Sequence, residues 1–131
     1  MKTPSALPEL PVGSVTAPQF DDDWVAYAVW MLTHHGAIYR EFRRMVDERL
    51  ERFPGETVSA RMALETLRWN TGLQATGDHY KINTNILPLL SRLYISERPY
   101  AADNFRLRRS TYDTWQDYPE IVEAFNHARK Q

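Results

Sequence analysis

At 131 residues, with 43% hydrophobic and 25% charged side chains, the chain is sized for one globular domain with its own core and is too small for two. It has no cysteine, which excludes disulfides and thiolate zinc sites and leads us to expect a cytoplasmic protein. The formal net charge of −1 excludes the strong basic excess of a dedicated DNA-binding domain, and no apolar run reaches the roughly 20 residues of a membrane span.

Residues 1–20 contain Pro4, Pro8, Pro11 and Pro18 and few large apolar groups. They read as an extended, disordered arm without the apolar stretch of a signal peptide. Residues 21–131 are expected to form a single helical domain. Asp21, Asp22 and Asp23 place negative charge at a helix start, where capping and the macrodipole both favour it. From Trp24, apolar residues and His35 recur at 24, 28, 31, 35, 38, 42, 45/46, 50 and 53, a helical period. Gly36 interrupts the run, so the pattern predicts either two helices, about 22–34 and 37–52, or one long kinked helix. Pro54-Gly55 ends it.

Ser59 opens a further helix over about 59–70. Thr71-Gly72 and Thr76-Gly77-Asp78 carry turn chemistry, and the alternation of Leu73/Ala75 and Tyr80/Ile82 predicts a short hairpin with its loop at 76–78. Asn83, Thr84 or Asn85 then caps a helix reaching about 97, with Ile86, Leu87, Leu90, Leu93 and Tyr94 inward. Pro88 falls in its first turn, where a missing N–H breaks no bond. Pro99 closes that helix. Phe105-Arg-Leu-Arg-Arg alternates apolar and basic residues and predicts a short edge strand, and Asp117 caps a last helix near 118–129 bearing Ile121, Val122 and Phe125. The expected fold class is mainly α, with a short two-stranded β element. Helix 59–70, the turn and helix 85–97 approximate a helix-turn-helix or winged-helix arrangement.

Four runs keep their order and spacing: G-A-I-Y-R-E-F at 36–42, S-A-x-x-A-L-E-T-L-R-W at 59–69, T-G-D-x-Y-K-I-N at 76–83 and S-R-L-Y-I-x-x-x-P at 91–99. Together they resemble a family of small proteins common in bacteriophage and prophage genomes. The likeness spans about 34–109 and leaves the proline-rich arm and an accessory C-terminal helix (117–129) outside it. It departs from the family pattern at Thr84, where asparagine is usual, and at Ser91, where alanine is usual. The resemblance implies a mobile-element setting and carries over no catalytic residue.

Charge is unevenly placed. Residues 34–109 hold 13 Lys/Arg against 9 Asp/Glu, a balance of +4, whereas 1–33 hold 1 against 4 and 110–131 hold 2 against 4. Arginine outnumbers lysine 13 to 3, and arginine suits bidentate contact with phosphate or carboxylate. The candidate nucleic-acid contacts are Arg68, Lys81, Asn83, Asn85, Arg92, Arg106, Arg108 and Arg109, with Ser91 on the same helix. Plainer readings compete: asparagines before a helix cap it, and alternating arginines keep a strand edge soluble. The linker is also longer than the three or four residues of a simple helix-turn-helix.

Trp69 reads as an anchor packed on Tyr80 or Tyr94. His34 and His35 point about 100° apart on a helix and do not chelate one ion, so no metal or cofactor is expected, and His35 reads as a core histidine. Asp113, Asp117 and Glu120 read as a solvated acidic tail. With no nucleophile–base set and no phosphate-binding loop, the chain is expected to bind and not to catalyse. Nucleic acid is the leading partner class. A host protein is the alternative, held by some of Trp24, Trp30, Tyr39, Tyr100, Tyr112, Trp115 and Tyr118, which are too numerous for one small core to bury together. The acidic ends and basic centre also permit a homodimer.

Overall fold

The computed structural model describes residues 23–59, 61–63, 65 and 84–130. Helix α1 spans Trp24–His34 and is capped by Asp23, whose carboxylate accepts from the Ala26 N–H at 3.0 Å. Helix α2 spans Ala37–Arg52, so the chain makes two helices and not one kinked rod. Gly36 sits between them with ordinary right-handed angles (φ −58°, ψ −24°), and its role is close approach. A Cβ there would lie 3.0 Å from both Ala128 Cβ and the Leu32 carbonyl. We expect Gly36→Ala to cost about 2 kcal/mol in urea unfolding, because backbone on one side and a packed helix on the other must shift.

After α2 the segment 53–58 lies against Asn104. The Val58 N–H donates to the Asn104 carbonyl at 2.7 Å, and the Asn104 amide donates to Pro54 O and Glu56 O, both at 2.8 Å. Ser59 then opens the next helix as its position predicts. Its hydroxyl accepts from the Met62 N–H at 3.3 Å, and residues 61–63 and 65 are helical. The rest of that helix, Trp69, and the predicted hairpin at 73–82 lie outside the described residues.

Helix α3 spans Leu87–Glu97 and is entered through a 3-10 turn, Thr84–Ile86. Ile86 therefore takes the cap position, with no side-chain cap, where an asparagine or threonine was expected. Pro88 occupies the first turn, and Pro99 starts a second 3-10 segment, Pro99–Asn104. Residues 105–110 are extended but pair with no strand, so the predicted edge strand is absent. Among the described residues there is no strand at all. Alternation at 105–109 reflects only that Phe105 is buried, for Leu107 is 40% exposed. A third 3-10 segment, Thr111–Asp117, leads to helix α4, Pro119–Ala128. Tyr118 and not Asp117 precedes it, because Pro119 fixes the first helical residue.

Helix α3 runs through the centre of the fold, with Leu87 and every residue from Leu89 to Tyr94 buried. Tyr39 and Phe42 of α2 reach the same core, and ring contacts tie it together: Tyr39–Phe125 at 5.1 Å, Trp115–Phe125 at 5.5 Å and Tyr94–Phe105 at 5.8 Å. Helix α4 packs chiefly on α1. Two arginines of α2 close the C-terminal end of α4, where cations suit the dipole. Arg40 Nη1 donates to Ala128 O at 2.8 Å, and Arg43 Nη2 donates to Arg129 O at 3.2 Å. His35 is buried edge-on against Trp30, at 5.0 Å between ring centres. Of the seven aromatics singled out above, Tyr39, Tyr112 and Trp115 are buried and Trp24, Trp30 and Tyr118 half-buried, leaving only Tyr100 well exposed. Among the described residues no helix is long and apolar enough to cross a membrane.

Candidate nucleic-acid interface

The sequence candidates separate into three groups. Arg68, Lys81 and Asn83 lie outside the described residues. Ser91 and Arg92 are buried in α3. Asn85, Arg106, Arg108 and Arg109 are exposed.

Arg92 is not a surface cation. Its guanidinium donates to Asp113 Oδ1 at 2.6 Å, to Pro88 O at 2.9 Å and to Arg108 O at 2.7 Å. Every guanidinium nitrogen is thus engaged within the fold, which takes the residue away from phosphate. Asp113, assigned above to a solvated tail, is instead a structural partner. It accepts from the Ser110 N–H at 3.0 Å, while Ser110 Oγ accepts from the Tyr112 N–H at 3.1 Å, closing a capping box. The Ser110 N–H, followed by Arg92, holds the Asp113 carboxyl below its ordinary range. The serine–x–x–aspartate spacing is a sequence signal that locates this cap.

These bonds set the geometry of the surface. Arg92 fastens the backbone at Arg108 to the first turn of α3, and Tyr112 Oη donates to Asn85 O at 2.7 Å. These bonds tie the 108–112 stretch to the N-terminal end of α3, which Asn85 precedes. The other sequence expectation, that α3 itself reads a groove, does not hold, because α3 is a core helix.

The ion pairs show which arginines remain available. Arg43 and Arg129 meet Glu97, Arg44 meets Glu41 and Glu48, Arg49 meets Glu56, Arg92 meets Asp113 and Arg98 meets Asp47. Arg106, Arg108 and Arg109 enter no ion pair among the described residues, and all three are exposed. Much of the basic charge of the central region is thus paired internally. Of the exposed arginines that enter no ion pair among the described residues, Arg52 and Arg61 stand singly and Arg106, Arg108 and Arg109 cluster within four positions. No group of three His, Cys, Asp or Glu among the described residues is placed to hold a metal ion. No protein-family model, curated protein or solved structure matches the chain.

Proposed function

We propose that the chain is a binding protein that contacts nucleic acid, with Arg106, Arg108 and Arg109 meeting phosphates beside Asn85. The observation that carries this reading is the clustering, within four positions, of three exposed guanidinium groups that enter no ion pair among the described residues, whereas Arg43, Arg49, Arg92 and Arg98 are paired. A fixed, extended segment bearing unpaired cations loses little entropy when it meets a polyanion. The proposed action is binding without turnover.

Phosphate contact is tested by its salt dependence. Fluorescence anisotropy with a labelled oligonucleotide should show affinity falling steeply as salt rises, since each neutralised phosphate releases counterions. Replacing Arg106, Arg108 and Arg109 together with serine should weaken binding by at least about 10-fold and lower the log–log salt slope by about 2 to 3. The melting temperature should stay within about 2 °C, because Arg92 holds the Arg108 carbonyl and not its side chain. Binding that ignores salt, or a triple variant that binds like the parent, refutes the reading.

One feature favours a protein partner as a second reading. The outer face of α1 presents Val25, Val29 and Trp30 along a shallow groove of about 390 Å³ edged by Asp23 and Glu120. A partner recovered from a host lysate that survives nuclease treatment and is lost with Trp30→Ala would favour it. Recovery that disappears with nuclease would count against it.

A further inference from the structure

We infer that the nucleic acid is single-stranded, with bases stacking on Tyr100 and Phe53 while the backbone follows Arg106–Arg109; this rests on the phosphate reading above. Two independent features lead there.

Duplex recognition needs a helix or β-ribbon presented to a groove. None of the helices α1–α4 offers one. Helix α3 is buried, and α4 shows solvent Glu120 and Glu123. The exposed face of α2 mixes Arg44, Arg49 and Arg52 with Glu48 and Glu51, and the outer face of α1 is apolar. The cluster Arg106, Arg108 and Arg109 sits outside any helix instead.

Exposed large apolar side chains also lie on the stretch of chain that leads into those cations and on the segment joined to it. Among the described residues they are Phe53, Met62, Tyr100 and Leu107, with Tyr100 at 74% exposure and Phe53 at 48%. All four belong to two stretches, 53–62 and 99–107, that Asn104 joins through its bonds to Pro54, Glu56 and Val58. Two of the four are aromatic. The Arg49 guanidinium lies 4.8 Å from the centre of the Phe53 ring and is itself held by Glu56, so it braces that ring without competing for phosphate. Exposed flat rings on the same connected stretches as a cluster of guanidinium groups suit a single strand, since every base has a face to stack and every nucleotide a phosphate. A duplex keeps its base faces covered and gains nothing from such rings.

The test compares a labelled oligothymidylate, an oligouridylate and a duplex of equal length in the same salt series. We expect each single strand to bind at least about 10-fold more tightly than the duplex. Tyr100→Ala should weaken single-strand binding by about 5- to 20-fold, keep the salt slope, and leave duplex binding unchanged. Tyr100→Phe should restore it, since the ring and not the hydroxyl does the stacking. Tyr100 is too exposed for this to come from unfolding, and an unchanged melting temperature checks that. Equal or tighter duplex binding, or an unchanged Tyr100→Ala, overturns this inference while leaving the phosphate reading standing. Absence of salt-dependent binding to all three polymers overturns the phosphate reading and this one with it, and assigns the patch to a protein partner.

Discussion

Replacing Glu97 with glutamine is expected to cost about 3 kcal/mol of stability at neutral pH. Glu97 is the last residue of α3, where the macrodipole disfavours a carboxylate, and its side chain is only 9% exposed. It is kept there by three donors from two other parts of the chain. Tyr39 Oη donates at 2.5 Å, Arg43 Nη1 reaches both oxygens at 3.0 and 3.2 Å, and Arg129 Nη1 donates at 3.3 Å. The carboxylate thus joins α2, α3 and the chain just beyond α4. Glutamine keeps the shape but turns an N–H₂ toward guanidinium groups that need an acceptor. Arg43, the more buried cation, accounts for most of the loss; Arg129 is 38% exposed and screened by water. Urea unfolding should show a lower midpoint with an unchanged slope.

The same group predicts an acid dependence. Burial opposes ionisation of Glu97, yet the Tyr39 hydroxyl, Arg43 and Arg129 outweigh it and hold the carboxyl below its ordinary value of 4.5. The Tyr39 phenol is pushed far above its ordinary 10.0, by burial first and by Glu97 second, and stays protonated throughout. A carboxyl lowered in the native state contributes stability that is complete above its ordinary value and is lost as pH falls through the native one. Glutamine has no such proton to take up. The gap between parent and Glu97→Gln should therefore narrow below about pH 4. A gap of constant size from neutral pH down to about pH 3 would show that shape and not charge carries the effect.

What the sequence made legible follows from how local each signal is. The bounds of α1 and α2 were readable because a glycine and a proline–glycine pair punctuate a long apolar period. The start of α3 was readable in outline because proline is tolerated in its first turn. The surroundings of α3 were not. Its sequence is apolar or small on nearly every side, so a period of 3.6 marks no outward face, and Arg92 gives no sign of pointing inward. The partners that draw it in, Asp113 and the Arg108 carbonyl, lie 21 and 16 residues away. The alternation at 105–109 misled for a related reason: a strand needs a partner, and alternation alone also describes an extended linker laid on a core. Within the candidate site, Arg106, Arg108 and Arg109 were recognisable as basic residues. That they enter no ion pair among the described residues appeared only once the pairings of those residues were known.

Arg92→Ala separates a scaffold role from a ligand role most directly. A phosphate-binding arginine can be truncated with little effect on stability, so a contact role predicts an unchanged melting temperature and weaker nucleic-acid binding. The structure predicts the reverse order of effects. Arg92 is 7% exposed, and its removal leaves the Arg108 carbonyl without its guanidinium donor, the Pro88 carbonyl with only its helical one, and the Asp113 carboxylate without its cation. With the lost packing of the side-chain stem, the expected cost is about 3 kcal/mol, or about 10 °C in melting temperature for a domain of this size. Arg92→Lys should recover only a small part, since one ammonium cannot reach an aspartate and two carbonyls in the directions a planar guanidinium does. Asp113→Asn should be milder than either, because that carboxylate is half exposed and its capping bond from Ser110 survives in the amide. Binding by Arg92→Ala should weaken only as far as the 106–109 segment loses its anchor, and saturating amounts of oligonucleotide should restore part of the lost melting temperature. A variant that melts like the parent yet binds more weakly would return Arg92 to the phosphate-contacting surface.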